Sequence, residues 1–309
     1  MKNDSFLSTI SWMLEIKKLT KKWVTDKLPK RPKDANKGTF GKVLVIAGSK
    51  SFVGAPFFAT AAAYRVGAGL VTLATIESVY NIVARKIPEA TFLLLPEYKG
   101  GIGDGAYEAI VERLKEFDVL LLGPGIEQSL QTAEFVAKLL ERGDLPKLVI
   151  DADGLNIISK LGNWWDKLKK DTILTPHPGE MARLTGFSVE RIQSDRVNIA
   201  KSFAKKWGKV IVLKGANTVV VSPGGEVKIS PFANPALSTA GTGDVLTGVI
   251  AGLSAQGLKS FDAACLGVYI HGLAGEILKE KLGDAGLLAS DLLLVLPKVI
   301  QKIKMGLDN

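Results

Sequence analysis

From residue 42 onward, short runs of Val, Ile and Leu alternate with longer stretches whose apolar positions recur at helical spacing. Residues 42–48 (Lys-Val-Leu-Val-Ile-Ala-Gly) form a continuous apolar run closed by glycine. A parallel strand buried on both faces reads this way, whereas a half-exposed strand alternates. A loop at 49–53, an alanine-rich helix over 54–67 and a strand over 69–75 follow. The alternation predicts helix 78–84, strand 91–95, helix 106–116, strand 119–123, helix 131–141, strand 148–151 and strand 173–175. Helix 179–184, helix 189–207 and strand 210–214 come next, then two valine-rich runs, 218–221 and 226–229. These flank Ser222-Pro223-Gly224-Gly225, a hairpin signal. Helices over 262–280 and 290–303 close the chain. Repeated β–α units of this kind predict a three-layer α/β/α fold around a largely parallel central sheet.

Before residue 42 the pattern is weaker. Residues 16–28 suggest a helix, stopped by the breaker Pro29-Lys30-Arg31-Pro32. We therefore expect a basic, helical lead-in over 1–36 and a single catalytic domain over 37–309. Charge sharpens this division. Residues 1–42 hold eleven Lys/Arg against four acids, an excess of seven out of the chain's net +9. The aromatics of this segment, Phe6, Trp12, Trp23 and Phe40, match no nucleic-acid reading motif, so a solvated segment is expected and no nucleic-acid partner. No apolar run reaches the about 18 residues of a membrane span, and no secretory leader is visible at the N-terminus. The one cysteine, Cys265, excludes an internal disulfide framework and a cysteine zinc cluster. No membrane partner and a cytoplasmic location are expected.

The chemistry concentrates where a polar loop becomes a helix, Asn234-Pro-Ala-Leu-Ser-Thr-Ala-Gly-Thr-Gly-Asp244. The first amides of a helix lack intrahelical partners and its dipole is positive there, so an anion can bind. Gly241 and Gly243 let the backbone approach a phosphate, with Thr242 between them. Asp244 is then either the helix N-cap or a base that takes a proton from an attacking hydroxyl. The dipole is expected to keep it ionised.

Four more polar clusters fall at predicted strand ends, where ligands bind in open α/β sheets. They are Gly123-Pro124-Gly125, Asp151-Ala-Asp-Gly-Leu-Asn156, Thr175-Pro-His-Pro-Gly-Glu180 and Lys214-Gly-Ala-Asn-Thr218. Lys214, expected at an exposed strand end, suits nucleotide contacts with Gly215 and Thr218. His177, held between two prolines, favours ligand contact. Asp151 and Asp153 suit a metal–phosphate or a ribose, or else cap the next helix, and Asn156 is the alternative ligand there. His271, inside an apolar helix, reads as packing, and residues 101–105 read as a flexible connection. No zinc spacing, Walker lysine or Gly-x-Ser-x-Gly motif is present, and no protein-held metal site is expected.

These motifs, with Gly41–Ser49, Gly54-Ala55-Pro56 and Val66–Val71, resemble those of the NAD(P)H-hydrate dehydratases, members of the ribokinase-like superfamily, over about residues 28–300. The resemblance implies a ribokinase-like fold and repair of hydrated NADH or NADPH (NADHX, NADPHX). The ring hydroxyl is phosphorylated from ADP or ATP, with Mg²⁺ on the nucleotide, and phosphate is then eliminated. It implies Asp244 as base, with the amides of Gly241, Thr242 and Gly243 as anion hole. The hydrate would meet Ala55, Gly125, His177, Asp244 and Asn156. The adenine nucleotide would meet Lys214, Gly215, Ala216, Asn217, Thr218 and Gly243. A homo-oligomer is expected, as is a separate NAD(P)HX epimerase, because residues 1–36 are too short to be one. The chain departs from the family at Asn36-Lys37-Gly38, where relatives often carry His-Lys-Gly. A sugar or vitamin kinase of the superfamily is the rival reading, and it lacks the Thr-Pro-His-Pro-Gly-Glu and Gly-Pro-Gly pair. A silent nucleotide binder has no use for Asp244, and a dinucleotide oxidoreductase needs a Gly-x-Gly-x-x-Gly that is missing near residues 48–55.

Overall fold

The computed structural model describes residues 16–170 and 172–306, so the first fifteen residues of the lead-in lie outside the described residues. The strands are β1 (Ile16–Lys18), β2 (Lys42–Ile46), β3 (Leu70–Ile76), β4 (Thr91–Leu95), β5 (Glu97–Tyr98) and β6 (Gly101–Ile102). They continue with β7 (Val119–Leu122), β8 (Lys147–Ile150), β9 (Ile173–Leu174), β10 (Val210–Leu213), β11 (Val219–Val221) and β12 (Val227–Ile229). Ten of them form one sheet in the order β1-β12-β11-β10-β9-β8-β7-β2-β3-β4, with helices on both sides. Every neighbouring pair is parallel except the two made by β11, the first strand of the Ser222–Gly225 hairpin. The order reverses between β2 and β7, where chain runs outward in both directions. That reversal opens a crevice beyond the carboxyl ends of these two strands.

The helix Thr242–Ala255 crosses the helix Gly54–Arg65 at very short range. A β-carbon on Gly248 would fall 2.2 Å from the Ala59 carbonyl oxygen, and one on Gly252 2.6 Å from that of Ala63. Glycine four residues apart on one helix and alanine four apart on the other make this approach possible. It fixes the N-terminus of Thr242–Ala255 above the crevice. The helix Ser260–Leu282 is long and apolar enough to cross a membrane by length and composition, and 72% of its apolar window is buried inside the fold.

Four local expectations are corrected. The expected helix over 16–28 is the edge strand β1, paired in parallel with β12, followed by the helix Lys21–Lys27. Thr20 is the reason, since its hydroxyl accepts the Trp23 N–H at 3.3 Å and caps the helix there. The expected helix over 189–207 breaks at Asp195 (φ −146°, ψ 55°) into Val189–Ser194 and Arg196–Trp207. The expected helix over 106–116 is α-helical only for Ala106–Ile110 and tightens to 3₁₀ over Val111–Glu116. The stretch 101–105 is held in place: β6 pairs with β5, and Gly103 N–H donates to Pro96 O at 2.7 Å.

Candidate active site

Gly241 is the N-cap of Thr242–Ala255, with φ +89°. A β-carbon there would fall 2.7 Å from the Phe58 ring and 3.0 Å from Ala289 Cβ, so glycine is required by both conformation and space. Asp244 is therefore the third helical residue and not the cap. The first helical hydrogen bond runs from Val245 N–H to Gly241 O at 3.1 Å. Thr242 N–H turns back to Thr239 O at 3.4 Å, whereas the N–H groups of Gly243 and Asp244 find no backbone acceptor among the described residues. The open amide pair thus sits one residue further along than the Gly241–Gly243 set expected from sequence. Thr242 Oγ1 lies within donating distance of Leu237 O (2.8 Å) and Thr239 O (2.9 Å), so its hydroxyl braces the loop. Buried His271 donates from Nε2 to Thr242 O at 2.9 Å, because a carbonyl can only accept. It is more than packing: it pins the anion loop from behind.

A cavity of about 420 Å³ opens at these amides. Lys214, Gly215, Ala216, Thr218 and Gly243 all line it, with Phe232, Leu237, Leu246 and Val268 as apolar wall. Four of the five strand-end candidates for nucleotide contact, and Gly243, are thus brought together. Asn217 is not among them. Its N–H donates to Phe232 O (2.9 Å) and its Nδ2 to Ser230 O (3.0 Å), so it staples the turn to the neighbouring strand. Thr218 Oγ1 donates to Gly215 O at 2.9 Å. Arg196, displaced to the helix start by the break at Asp195, donates to Leu213 O (2.9 Å) and Lys214 O (3.1 Å) and clamps the turn from below.

Lys214 departs furthest from expectation. Its ammonium is largely buried, 2.7 Å from Asp151 Oδ1 and 3.6 Å from Glu180 Oε2. A β-carbon on Gly243 would lie 3.7 Å from Lys214 Nζ, so the charge stands directly beside the anion loop. Burial pulls its pKa down, but the Asp151 and Glu180 carboxylates outweigh that and hold it above the ordinary lysine range. Asp151, 1% exposed, also takes Thr175 Oγ1 (2.8 Å) and Thr247 Oγ1 (2.7 Å). Sealed from solvent and turned onto Lys214 and two threonine hydroxyls, this carboxylate is out of reach of a ribose, and it makes no cap bond. Asp153 accepts Glu127 N–H (2.9 Å) and Gln128 Nε2 (3.0 Å), which binds the Gly-Pro-Gly loop to the helix Ala152–Ile158.

Asp244 is raised from the ordinary 3.8 to about 7, first by burial, then by repulsion from Asp151, with Lys214 opposing. The helix dipole does not win. Glu180 is likewise raised to about 7, chiefly by burial, although Lys214 and the His177 N–H at 2.7 Å favour its charge. Three carboxyls share one ammonium beside the open amides of Gly243 and Asp244. Full ionisation is costly there, and the site retains protons near neutrality.

On the crevice side, Gly125 and Ala55 are brought together: a β-carbon on Gly125 would fall 3.2 Å from Ala55 Cβ and 2.5 Å from Phe52 Cβ. Phe52, half exposed beside them, was not singled out from sequence. His177 caps the helix Pro178–Thr185, its Nδ1 accepting Gly179 N–H (2.9 Å) and Glu180 N–H (3.3 Å). The ring proton is therefore on Nε2, 3.4 Å from Glu180 Oε1, and burial followed by Lys214 keeps the pKa low and the ring neutral. Asn156 Oδ1 accepts from Arg183 Nη1 at 3.1 Å, which turns it toward that helix.

Glu180, Thr175, Thr247 and Arg196 were not assigned roles from sequence. Glu180 and Thr175 stood in a quoted motif, and a lysine ending a buried strand was itself a sign that carboxylates must face it. No group of three or more His, Cys, Asp or Glu among the described residues is placed to hold a metal. With Asp151 occupied, Mg²⁺ fits this site as an ion carried on nucleotide phosphates, its hard-oxygen ligands coming mostly from phosphate and water.

The parallel sheet with a reversal at β2/β7, and a glycine-bounded anion loop bearing an aspartate, define a ribokinase-like protein. An Enterococcus faecalis ribokinase-like superfamily protein matches the structure with a TM-score of 0.81 at 26% identity, over 94% of this chain and 96% of that one. The family model of NAD(P)H-hydrate dehydratase matches residues 43–298, and the chain belongs to that family. The bifunctional NAD(P)H-hydrate repair enzyme Nnr of Moorella thermoacetica is 44% identical over 94% of this chain, which spans 55% of that relative's length. The ADP-dependent (S)-NAD(P)H-hydrate dehydratase of Neisseria meningitidis is 36% identical over 85% of this chain and 86% of its own. The Bacillus subtilis ADP/ATP-dependent NAD(P)H-hydrate dehydratase, co-crystallised with ATP/Mg²⁺, gives a TM-score of 0.79 at 31% identity, covering 93% of this chain and 98% of that one.

Proposed function

We propose that the chain restores NADH and NADPH from the S forms of NADHX and NADPHX, with ADP or ATP as co-substrate and Mg²⁺ on its phosphates. The observation that carries this is Asp244, a carboxyl raised to about 7 and set on a helix start with two open amides beside a nucleotide-sized cavity. The nucleotide occupies the Lys214–Thr218 side, and the hydrate the Ala55–Gly125–His177 side. The ring hydroxyl attacks the terminal phosphoryl group while Asp244 accepts its proton. The phosphorus–oxygen bond to the nucleotide breaks, releasing AMP when ADP is the donor. The ring carbon–oxygen bond then breaks, phosphate leaving with the electron pair, and the adjacent ring carbon loses a proton to water to restore the double bond. The amides of Gly243 and Asp244 and the Lys214 ammonium stabilise the charge on the moving phosphoryl group. Asp151 and Glu180 hold Lys214 in place, and His177, a donor at Nε2, orients rather than takes protons.

Purified hydrate, Mg²⁺ and each nucleotide in turn should regenerate the absorbance of the reduced nicotinamide, with phosphate released in equal amount. A stable phosphate ester with no reduced nicotinamide would make the protein a kinase of the same fold. An epimerase that interconverts the two hydrate forms is the functional partner this reading calls for.

A further inference from the structure

The reaction leaves unused the basic breaker Pro29-Lys30-Arg31-Pro32, whose Pro29, Lys30 and Arg31 line two adjoining cavities of about 220 and 540 Å³. They share Leu28, Pro29, Arg31 and Lys304. Leu253 and Gln256, at the C-terminal end of Thr242–Ala255, line the smaller one. That helix has 14 residues, which at 1.5 Å per residue places the cavities about 20 Å from the anion loop. They are therefore separate from the site described above.

Arg31 is fixed in place. Its guanidinium lies 3.5 Å from the centre of the Phe40 ring, and Nη1 donates to Gly67 O (3.1 Å) and Gln256 Oε1 (3.3 Å). Arg65 and Lys304 project from the last turns of the helices Gly54–Arg65 and Ala289–Lys304. Among the described residues none of these three cations forms an ion pair with a carboxylate. Helix ends explain part of this charge, since four C-termini converge here, those of Lys21–Lys27, Gly54–Arg65, Thr242–Ala255 and Ala289–Lys304, each equivalent to about half a negative charge. Lys30, Arg31, Arg65 and Lys304 exceed that sum, and Asp26 is the one acid on the lining. Leu253, Pro297 and Ile300 add an apolar floor.

We propose that this cleft binds a small phosphorylated ligand, its phosphate oxygens on Arg31, Arg65 and Lys304 and its organic part over Leu253, Pro297 and Ile300. Guanidinium groups suit phosphate by their planar donor fork, and the low exposure to competing carboxylates leaves them available. The proposal does not depend on the reaction assigned above.

The test is hydrogen–deuterium exchange on the full chain with inorganic pyrophosphate and with its short-chain alkyl monoester as probes. Both should slow exchange at 28–31, 65–67 and 300–304, and the alkyl ester should do so at lower concentration. Arg65→Gln and Lys304→Gln, which remove no hydrogen bond seen within the described residues, should each weaken that protection about tenfold or more. Protection around 241–244, from probe bound at the nucleotide site, should persist in both variants and serves as the internal control. Protection confined to 241–244, or protection at 28–31 that both variants retain, would overturn the proposal. Equal potency of the two probes would remove the apolar floor from it. Arg31→Gln is expected to behave alike if it folds, and the other two variants decide the matter if it does not.

Discussion

The Lys214 ammonium lies 2.7 Å from the Asp151 carboxylate at the bottom of the site, with Asp151 sealed from solvent. This pair joins the end of β10 to the end of β8 and holds a positive charge against the first turn of Thr242–Ala255. Removing one partner of such a pair strands the other in a poor dielectric.

Lys214→Ala is therefore expected to do more than weaken nucleotide binding. It should cost about 3–5 kcal/mol of stability, the usual consequence of breaking a buried ion pair. Denaturant titration measures this directly. A variant as stable as wild type would show that water or another cation replaces the ammonium.

Asp244→Asn should leave the fold intact, since Gly241 is the cap and Asp244 makes no capping bond. Turnover should drop by roughly 10²–10⁴-fold, the range for loss of a general base, while both ligands still bind. Rate and ligand affinity measured on one preparation decide this, and a fully active Asp244→Asn would end the mechanism.

The raised carboxyls make both rate and stability depend on pH. Asp244 moves from 3.8 to about 7 and Glu180 from 4.5 to about 7. The rate constant kcat/KM should rise with pH through about 7 as the base loses its proton, with an apparent pKa that belongs to the coupled cluster. Stability runs the other way. Between about 4 and 7 the folded state holds protons that the unfolded chain has released, so these groups make the protein less stable as pH rises across that window. Below about 4 they contribute nothing. Melting temperatures of Asp244→Asn and wild type should agree near pH 4 and diverge in favour of the variant toward pH 8. Parallel curves would mean Asp244 titrates normally.

Gly241→Ala should cost more than the about 1 kcal/mol of an ordinary left-handed glycine replacement, because the methyl also meets the Phe58 ring and Ala289. The loop should shift, and turnover should drop with it. Chemical denaturation and assay of the same variant test the two effects together, and a stable, active Gly241→Ala would show that Phe58 yields.

How much of this was legible in the chain differs by residue. The continuous apolar runs, the hairpin at Ser222–Gly225 and the strand-end clusters stand in the sequence because burial on both faces of a parallel sheet demands unbroken Val, Ile and Leu. Glycines at 241 and 243 and an aspartate at 244 likewise announce an anion loop, since few other residues fit so tight a turn. The resemblance to hydrate dehydratases was carried by such local motifs. The ionic wiring was not, because it depends on which strand ends become neighbours. Asp151 and Lys214 are 63 residues apart, and only the sheet order sets β8, β9 and β10 side by side. That adjacency decided that Lys214 is buried and paired, that Asp151 is occupied, and that Asp244 is pushed up to about 7 instead of held down by its helix. Burial and through-space charge are properties of the assembled fold, and there they outweighed the local dipole that the sequence alone displays.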